Sequence, residues 1–192
     1  MNSILKPPLY IIKKILNMRV LNIIQLRDKY GHKSEILSLA KSIKNILNKS
    51  DILFIINDYI DIVKLVDADG IHLGQNDLPV SLVRKLIGKD KIIGLSCHSL
   101  SEAIKAQEED VDYISIGPIF KTPLKPDYMA LGVKILKKLQ KQITIPYFPI
   151  GGIDLSNIEK IISLGINRIA ISRLLGRADN LDFVITQLEQ KF

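Results

Sequence analysis

Arg27 and Lys29 stand two apart in Gln25-Leu26-Arg27-Asp28-Lys29, and on an extended segment side chains two apart point the same way. A guanidinium fork beside an ammonium is a donor set suited to a diphosphate, with a pair of surface cations as the plainer reading. Further along, Asp58 closes Ile56-Asn57-Asp58 and Asp77 closes Gly74-Gln75-Asn76-Asp77. Two carboxylates from neighbouring strand ends, with substrate phosphates and water, make an oxygen set typical of Mg2+. Each acid also has the simpler reading of a helix cap. His72 lies inside an apolar run, where a satisfied core histidine is the default, and Gln75 reads either as an amide for a ligand or as a loop residue.

Ser96-Cys97-His98-Ser99 sets a nucleophile beside a base, but adjacent residues of an extended chain face opposite ways, so covalent catalysis is not expected. Ser96 is suited to hydrogen-bond phosphate, and Ser99 to cap a helix beginning at Leu100. The stretch from Gly117 to Pro126 is a long loop carrying Thr122 and Lys125 as phosphate contacts. Gly151-Gly152 and Ser172 follow two later strands, where backbone amides often hold phosphate in barrel enzymes.

The elements that must position these groups follow from pattern. With 192 residues, 47% hydrophobic and 24% charged, the chain suits one domain over residues 1–192 and excludes long disorder. The net charge of +7 favours anionic partners, yet the basic residues are scattered among acids rather than gathered in a stripe, so nucleic-acid binding is not expected. The single cysteine, Cys97, excludes an internal disulfide and fits a reducing cytoplasm. Apolar runs such as Ile52–Ile56 fall far short of the ~20 residues that span a bilayer, so no membrane partner is expected. The sequence leaves self-association open.

Short β-branched runs alternate with helical periodicity, the signature of a parallel α/β sheet. The template predicts strands at Leu9–Ile12, Asn22–Leu26, Ile52–Ile56, Gly70–Leu73, Ile92–Leu95, Tyr113–Ile116, Tyr147–Ile150 and Arg168–Ile171. Helices are predicted at Ser34–Leu47, Tyr59–Val66, Val80–Ile87, Leu100–Glu108, Val133–Gln140, Ser156–Leu164 and Asp182–Gln190. Eight such units close into a compact (β/α)8 TIM barrel with its site at the C-terminal strand ends, and an open doubly wound sheet is the alternative. Only Lys13–Leu21 separate the first two predicted strands, fewer than the ~10 to 12 residues a crossover needs, so the first helix is shortened or missing or the first strand is misplaced.

Taken in order, QLRDK (25–29), IND (56–58), DGIHLGQNDL (69–78), GLSCHS (94–99), DYISIGPIFKT (112–122) and IGGI (150–153) resemble the thiamine-phosphate synthase and thiazole tautomerase family, over residues from about Leu9 to Leu175. The resemblance implies a transferase that joins aminopyrimidine methyl diphosphate to hydroxyethylthiazole phosphate and releases diphosphate. By motif, Arg27, Lys29, Asn57, Ser96 and Lys125 would hold the diphosphate, while Asp58 and Asp77 would hold Mg2+. Gln25 and His72 would lie near the pyrimidine; Thr122, Gly152, Ile171 and Ser172 would receive the thiazole phosphate. The reaction implied is dissociative: diphosphate departs, a stabilised carbocation remains, and the thiazole nitrogen captures it. Arg27, Lys29, Ser96 and Lys125 would then serve the chemical step through the leaving group.

The tautomerase branch would place a histidine after Gly117 and lose the metal acids; Pro118, Asp58 and Asp77 point to the synthase branch. Lys13-Lys14 in place of a Thr-Asp pair, Leu124 where a second hydroxyl is usual, and Arg173 where a small residue is usual depart from the pattern. They define the alternative of a divergent binding protein for a phosphorylated ligand. Another phosphate-handling barrel enzyme, such as a sugar-phosphate isomerase, is the third reading; it would need a poised acid/base pair.

Overall fold

A computed structural model of the chain describes residues 6–123 and 128–192. Six strands, β1 (Ile23–Leu26), β2 (Leu53–Asn57), β3 (Gly70–Leu73), β4 (Ile92–Cys97), β5 (Tyr113–Ile116) and β6 (Tyr147–Pro149), pair in parallel in chain order. A single parallel bridge, Ile150 to Ala170, continues the sheet beyond β6. Helices α1 (Pro8–Ile15), α2 (Lys33–Leu47), α3 (Ile60–Val66), α4 (Val80–Ile87), α5 (Leu100–Gln107), α6 (Lys134–Gln142), α7 (Glu159–Ile162), α8 (Arg173–Gly176) and α9 (Leu181–Glu189) flank it. The strands curl as a shortened barrel.

Parallel strands covered by helices are buried on both faces, which is why they read as continuous apolar runs. Phe54, Ile55, Ile56, Ile71, Ile93, Ile114 and Ile116 have no measurable exposure. Against them α2 buries Ile36, Ala40, Ile43 and Leu47, spaced four, three and four apart as an amphipathic helix requires. No helix among the described residues is long and apolar enough to cross a membrane.

Leu9–Ile12 is a correction to the sequence reading: the segment is the first part of α1, not a strand. Pro8 begins the helix, where its missing N–H costs nothing, and Ile12 and Ile15 lie three apart on its buried face. The intervening chain is too short for a strand-to-strand crossover, so the shortening expected in the first βα unit removes the strand and leaves the helix. Arg168–Ile171, also predicted as a strand, makes only the bridge at Ala170. The predicted helix Ser156–Leu164 contracts to α7, because Asp154 Oδ1 accepts from Ser156 N at 2.9 Å and holds a turn ahead of it.

At the N-terminal strand ends, carboxylates satisfy backbone donors of the preceding strand. Asp69 Oδ2 accepts from Phe54 N at 2.7 Å, and Asp112 Oδ2 accepts from Ile93 N at 2.7 Å. Arg84 on α4 donates to the same Asp112 oxygen at 2.7 Å, to Lys91 O at 2.5 Å and to Asp110 O at 3.1 Å. This cluster sits at the sheet end opposite the predicted site. Asp112→Ala is expected to lower unfolding free energy by about 1.5 to 3 kcal/mol, the value of a charge-assisted hydrogen bond, with ligand binding at the other end unchanged. Denaturant titration checks the loss, and an unmoved midpoint would remove the staple from the fold's support.

Candidate active site

The sheet register builds the floor of the site. Asn57 lies opposite His72, His72 opposite Gly94, and Gly94 opposite Tyr113, so four strands contribute to one row. Ser96 and Ser115 pair in the next row, and Ser115 pairs with Phe148. His72 is satisfied on both ring nitrogens: Nδ1 lies 2.9 Å from Tyr113 Oη, and Nε2 lies 2.9 Å from Ser96 Oγ and 3.4 Å from Ser115 Oγ. It is a satisfied buried histidine and at the same time part of the cavity wall. A Cβ on Gly94 would collide with the Tyr113 ring, so this position must lack a side chain for the phenol to reach His72. Burial holds the Tyr113 phenol well above its ordinary pKa, with a hydrogen bond from Gln25 acting the other way, so the group stays neutral.

Cys97 and His98 do not pair. Cys97 is buried, and that burial pushes its thiol up to about 12, which leaves no thiolate at neutral pH. The His98 ring instead lies 4.6 Å from the Tyr128 ring, with Nδ1 3.3 Å from Glu102 Oε2. Ser99 caps α5 as expected, its Oγ accepting from Glu102 N at 3.1 Å.

Neither acid of the predicted metal pair caps a helix. Tyr59 and Pro79 occupy the cap positions of α3 and α4, and neither cap has a side-chain bond. Asp58 adopts a left-handed backbone at φ 65°, fixed by its N–H donating to His72 O at 3.0 Å. Its Oδ2 lies 3.4 Å from Lys29 Nζ, while its buried Oδ1 has no hydrogen-bond partner among the described residues. Asp77 Oδ2 accepts from Gly74 N at 2.6 Å. Desolvation, reinforced by the Asp77 carboxylate and opposed by Lys29, raises the Asp58 pKa above its ordinary value.

The loop after β5 is tied back to its own start: Leu131 N donates to Pro118 O at 2.8 Å and Gly132 N to Ile119 O at 3.0 Å. Thr122 on it is 7% exposed. Gly152 has φ 66°, and a Cβ there would lie 2.6 Å from Phe120 O, so only glycine lets the two backbones approach. Asn157 Nδ2 donates to Gly152 O at 2.8 Å and fixes the turn. Ser172 is exposed just before α8 and makes no capping bond through its side chain.

These features surround two connected spaces. A cavity of about 1150 Å³ is lined by Gln25, Arg27, Asn57, His72 and Ser96 from the early strands. Thr122, Gly152, Ile171, Ser172 and Arg173 line it from the later segments. An alcove of about 200 Å³ is lined by Lys29, Asp58, Gln75 and Asp77, and it shares Arg27, Asn57, Ser96 and His98 with the larger space. Lys125 and Leu124 lie outside the described residues. Sequence reasoning missed Tyr113, Ser115 and Tyr128. The alternation of β5, with a glycine opposite in β4, carried a signal for the first two; Tyr128 is placed only by the return of the loop.

The fold is a shortened parallel barrel of an enzyme class, with two acids and two cations gathered in an alcove of its mouth. The chain belongs to the thiamine monophosphate synthase family, whose model matches residues 4–175. It is 45% identical over 175 residues to the thiamine-phosphate synthase of Halalkalibacterium halodurans, covering 88% of this chain and 83% of that protein. The thiamine-phosphate synthase of Clostridium tetani is 42% identical over 172 residues, covering 88% of this chain and 82% of its own. The solved thiamine phosphate pyrophosphorylase of Pyrococcus furiosus superposes with a TM-score of 0.88 at 29% identity, over 97% of this chain and 90% of that one. A 3-hexulose-6-phosphate synthase at TM-score 0.72 and 13% identity, over 96% and 92%, shares the fold.

Because the raised pKa of Asp58 belongs to the folded state, its protonated form stabilises the fold below the ordinary carboxylate value, and that contribution is lost as pH rises through the folded value. At neutral pH without a cation the ionised group is therefore a net cost. Asp58→Asn keeps a residue type at home at positive φ and is expected to raise the thermal midpoint of the metal-free protein at pH 7. The gain should shrink as pH falls from the raised folded value toward the usual aspartate range, and vanish below it. A lower midpoint for the variant at pH 7 would contradict the desolvation account.

Proposed function

We propose that this chain couples 4-amino-2-methyl-5-hydroxymethylpyrimidine diphosphate to hydroxyethylthiazole phosphate, giving thiamine phosphate and diphosphate, and that residues 1–192 act as one barrel domain for it. The observation that carries this reading is the Asp58 and Asp77 pair, neither engaged as a helix cap, set beside Lys29 and Arg27 in an alcove open to the barrel mouth. A buried, unpartnered carboxylate oxygen with a raised pKa is a group fitted to a cation. Among the described residues no cluster of three or more His, Cys, Asp or Glu forms, so the protein offers two hard ligands and leaves the rest to phosphate and water. That donor set fits Mg2+. Bound there, Mg2+ would neutralise charge on the departing diphosphate.

This chain's own groups then divide the work. Arg27 and Lys29 hold the diphosphate oxygens as charge builds on them, with Asn57 and Ser96 donating from the shared wall and Lys125 from the loop. Gln25 and His72, locked by Tyr113, Ser96 and Ser115, orient the pyrimidine so that its methylene faces the mouth. Thr122, the Gly152 backbone, Ile171 and Ser172 place the thiazole phosphate opposite, bringing the ring nitrogen onto the methylene carbon. No side chain forms a bond to substrate, consistent with the protonated thiol of Cys97. Pro118 after Gly117 and the retained acids disfavour the tautomerase alternative. The substrates are small molecules; we expect a cytoplasmic protein that binds no nucleic acid.

Purified protein with both substrates and Mg2+ should form thiamine phosphate, and excess chelator should stop it; folded protein without product would overturn the reading. Arg27→Ala should raise KM for the pyrimidine diphosphate about 10- to 100-fold, the weight of one charge-assisted hydrogen bond, and leave KM for the thiazole phosphate nearly unchanged. Equal increases for both would move the diphosphate pocket elsewhere.

A further inference from the structure

We propose that this protein also hydrolyses the pyrimidine diphosphate when no thiazole phosphate is bound, because its barrel wall has a wet gap beside the reacting methylene. The inference rests on the substrate assignment made above and adds a second reaction to the same site. Among the described residues β1 pairs only with β2, and the segment around Ala170 pairs only with Pro149 and Ile150. Among the described residues no strand joins these two edges.

The edges are chemically specific. Leu53 N donates to Asn22 O, so alternation turns the backbone groups of Ile24 and Leu26 toward β2 and those of Ile23 and Gln25 toward the gap. On the other side Ala170 N donates to Pro149 O, which turns Ile169 and Ile171 toward the gap. None of these four outward-turned residues has a backbone partner among the described residues. Unpaired N–H and C=O groups inside a fold are satisfied by water, which needs two to four polar partners and finds them along two facing strand edges.

The large cavity runs through this gap. Its lining continues from Gln25 past Val20 and Met18 on one side, and past Asn167 on the other, to Leu188 and Phe192 beyond the sheet. Phe192 in that lining is 42% exposed, so this part of the cavity meets solvent. Substrates seated at the mouth cover Arg27, Ser96 and Thr122 and leave this second route unblocked. A barrel closed all round keeps water from a reactive cation; this one does not.

The step balances without a redox partner. The methylene C–O bond to diphosphate breaks, its electron pair leaving on the diphosphate oxygen held by Arg27 and Lys29. A water oxygen from the gap bonds to the methylene carbon and loses its proton to solvent. The products are the pyrimidine methanol and diphosphate.

Diphosphate and thiamine phosphate are to be measured in parallel on the whole purified chain with Mg2+. With the pyrimidine diphosphate alone, diphosphate should accumulate over many turnovers, and in 18O-water the label should appear in the pyrimidine methanol. With both substrates present and the thiazole phosphate limiting, diphosphate should exceed thiamine phosphate. Ala170→Leu, which adds bulk at the residue bridged to Ile150, should cut the excess several-fold and keep coupling. Val20→Trp is a second variant from the opposite edge. One-to-one products with no diphosphate from the pyrimidine alone would overturn the leak and leave the synthase reading standing, as would label found only in the diphosphate. Folded protein yielding neither product would overturn both.

Discussion

The register that sets Asn57, His72, Gly94 and Tyr113 across four parallel strands is the constraint on which the mouth of this barrel depends. Parallel pairing fixes which residue of each strand stands beside which, and a slip of one residue would turn every side chain to the other face. In the observed register a tyrosine spans the width of a missing side chain at Gly94 and meets His72, which in turn meets Ser96. Low dielectric makes such a network rigid when every member is satisfied. The floor of the cavity is therefore preorganised before any ligand arrives.

Charge is distributed by a different logic at the two ends of the sheet. At the N-terminal ends, Asp69 and Asp112 accept backbone donors and pair with Lys44 and Arg84, so their charge is used to hold strands together. At the C-terminal ends, Asp58 is desolvated next to Asp77, strained at positive φ and short of a partner on one oxygen. The same residue type is stabilising in one place and costly in the other. Local strain and an unsatisfied carboxylate are tolerated where a function requires them, and the rest of the fold must over-determine the geometry.

The missing first strand shows how chain length overrides local preference. Leu-Tyr-Ile-Ile at positions 9–12 has the composition of a strand, and the parallel sheet leaves an edge for one. Yet a parallel neighbour demands a crossover longer than the residues available before β1. With Pro8 ready to start a helix and Ile12 and Ile15 spaced to bury one face, the segment packs outside instead. Among the described residues no strand stands at that edge, and residues on both sides of it line the cavity.

Much of the fold was legible in the sequence, since β3, β5 and α4 occur at the predicted residues and the four other described strands lie within a few residues of theirs. Continuous β-branched runs and helical stripes are local signals, and burial on both faces makes them strong. The chemistry of the mouth was also readable as residue types: cations two apart, acids at strand ends, glycines after a late strand. What the sequence could not decide was everything that needs two distant segments at once. It could not say that Asp58 and Asp77 were not helix caps, that Tyr113 would cross to His72, or that Tyr128 would return to His98. Nor could it choose between strand and helix at Leu9–Ile12. Residue type and period are properties of neighbours along the chain, whereas register, desolvation and loop closure arise only when strands far apart in sequence are held side by side.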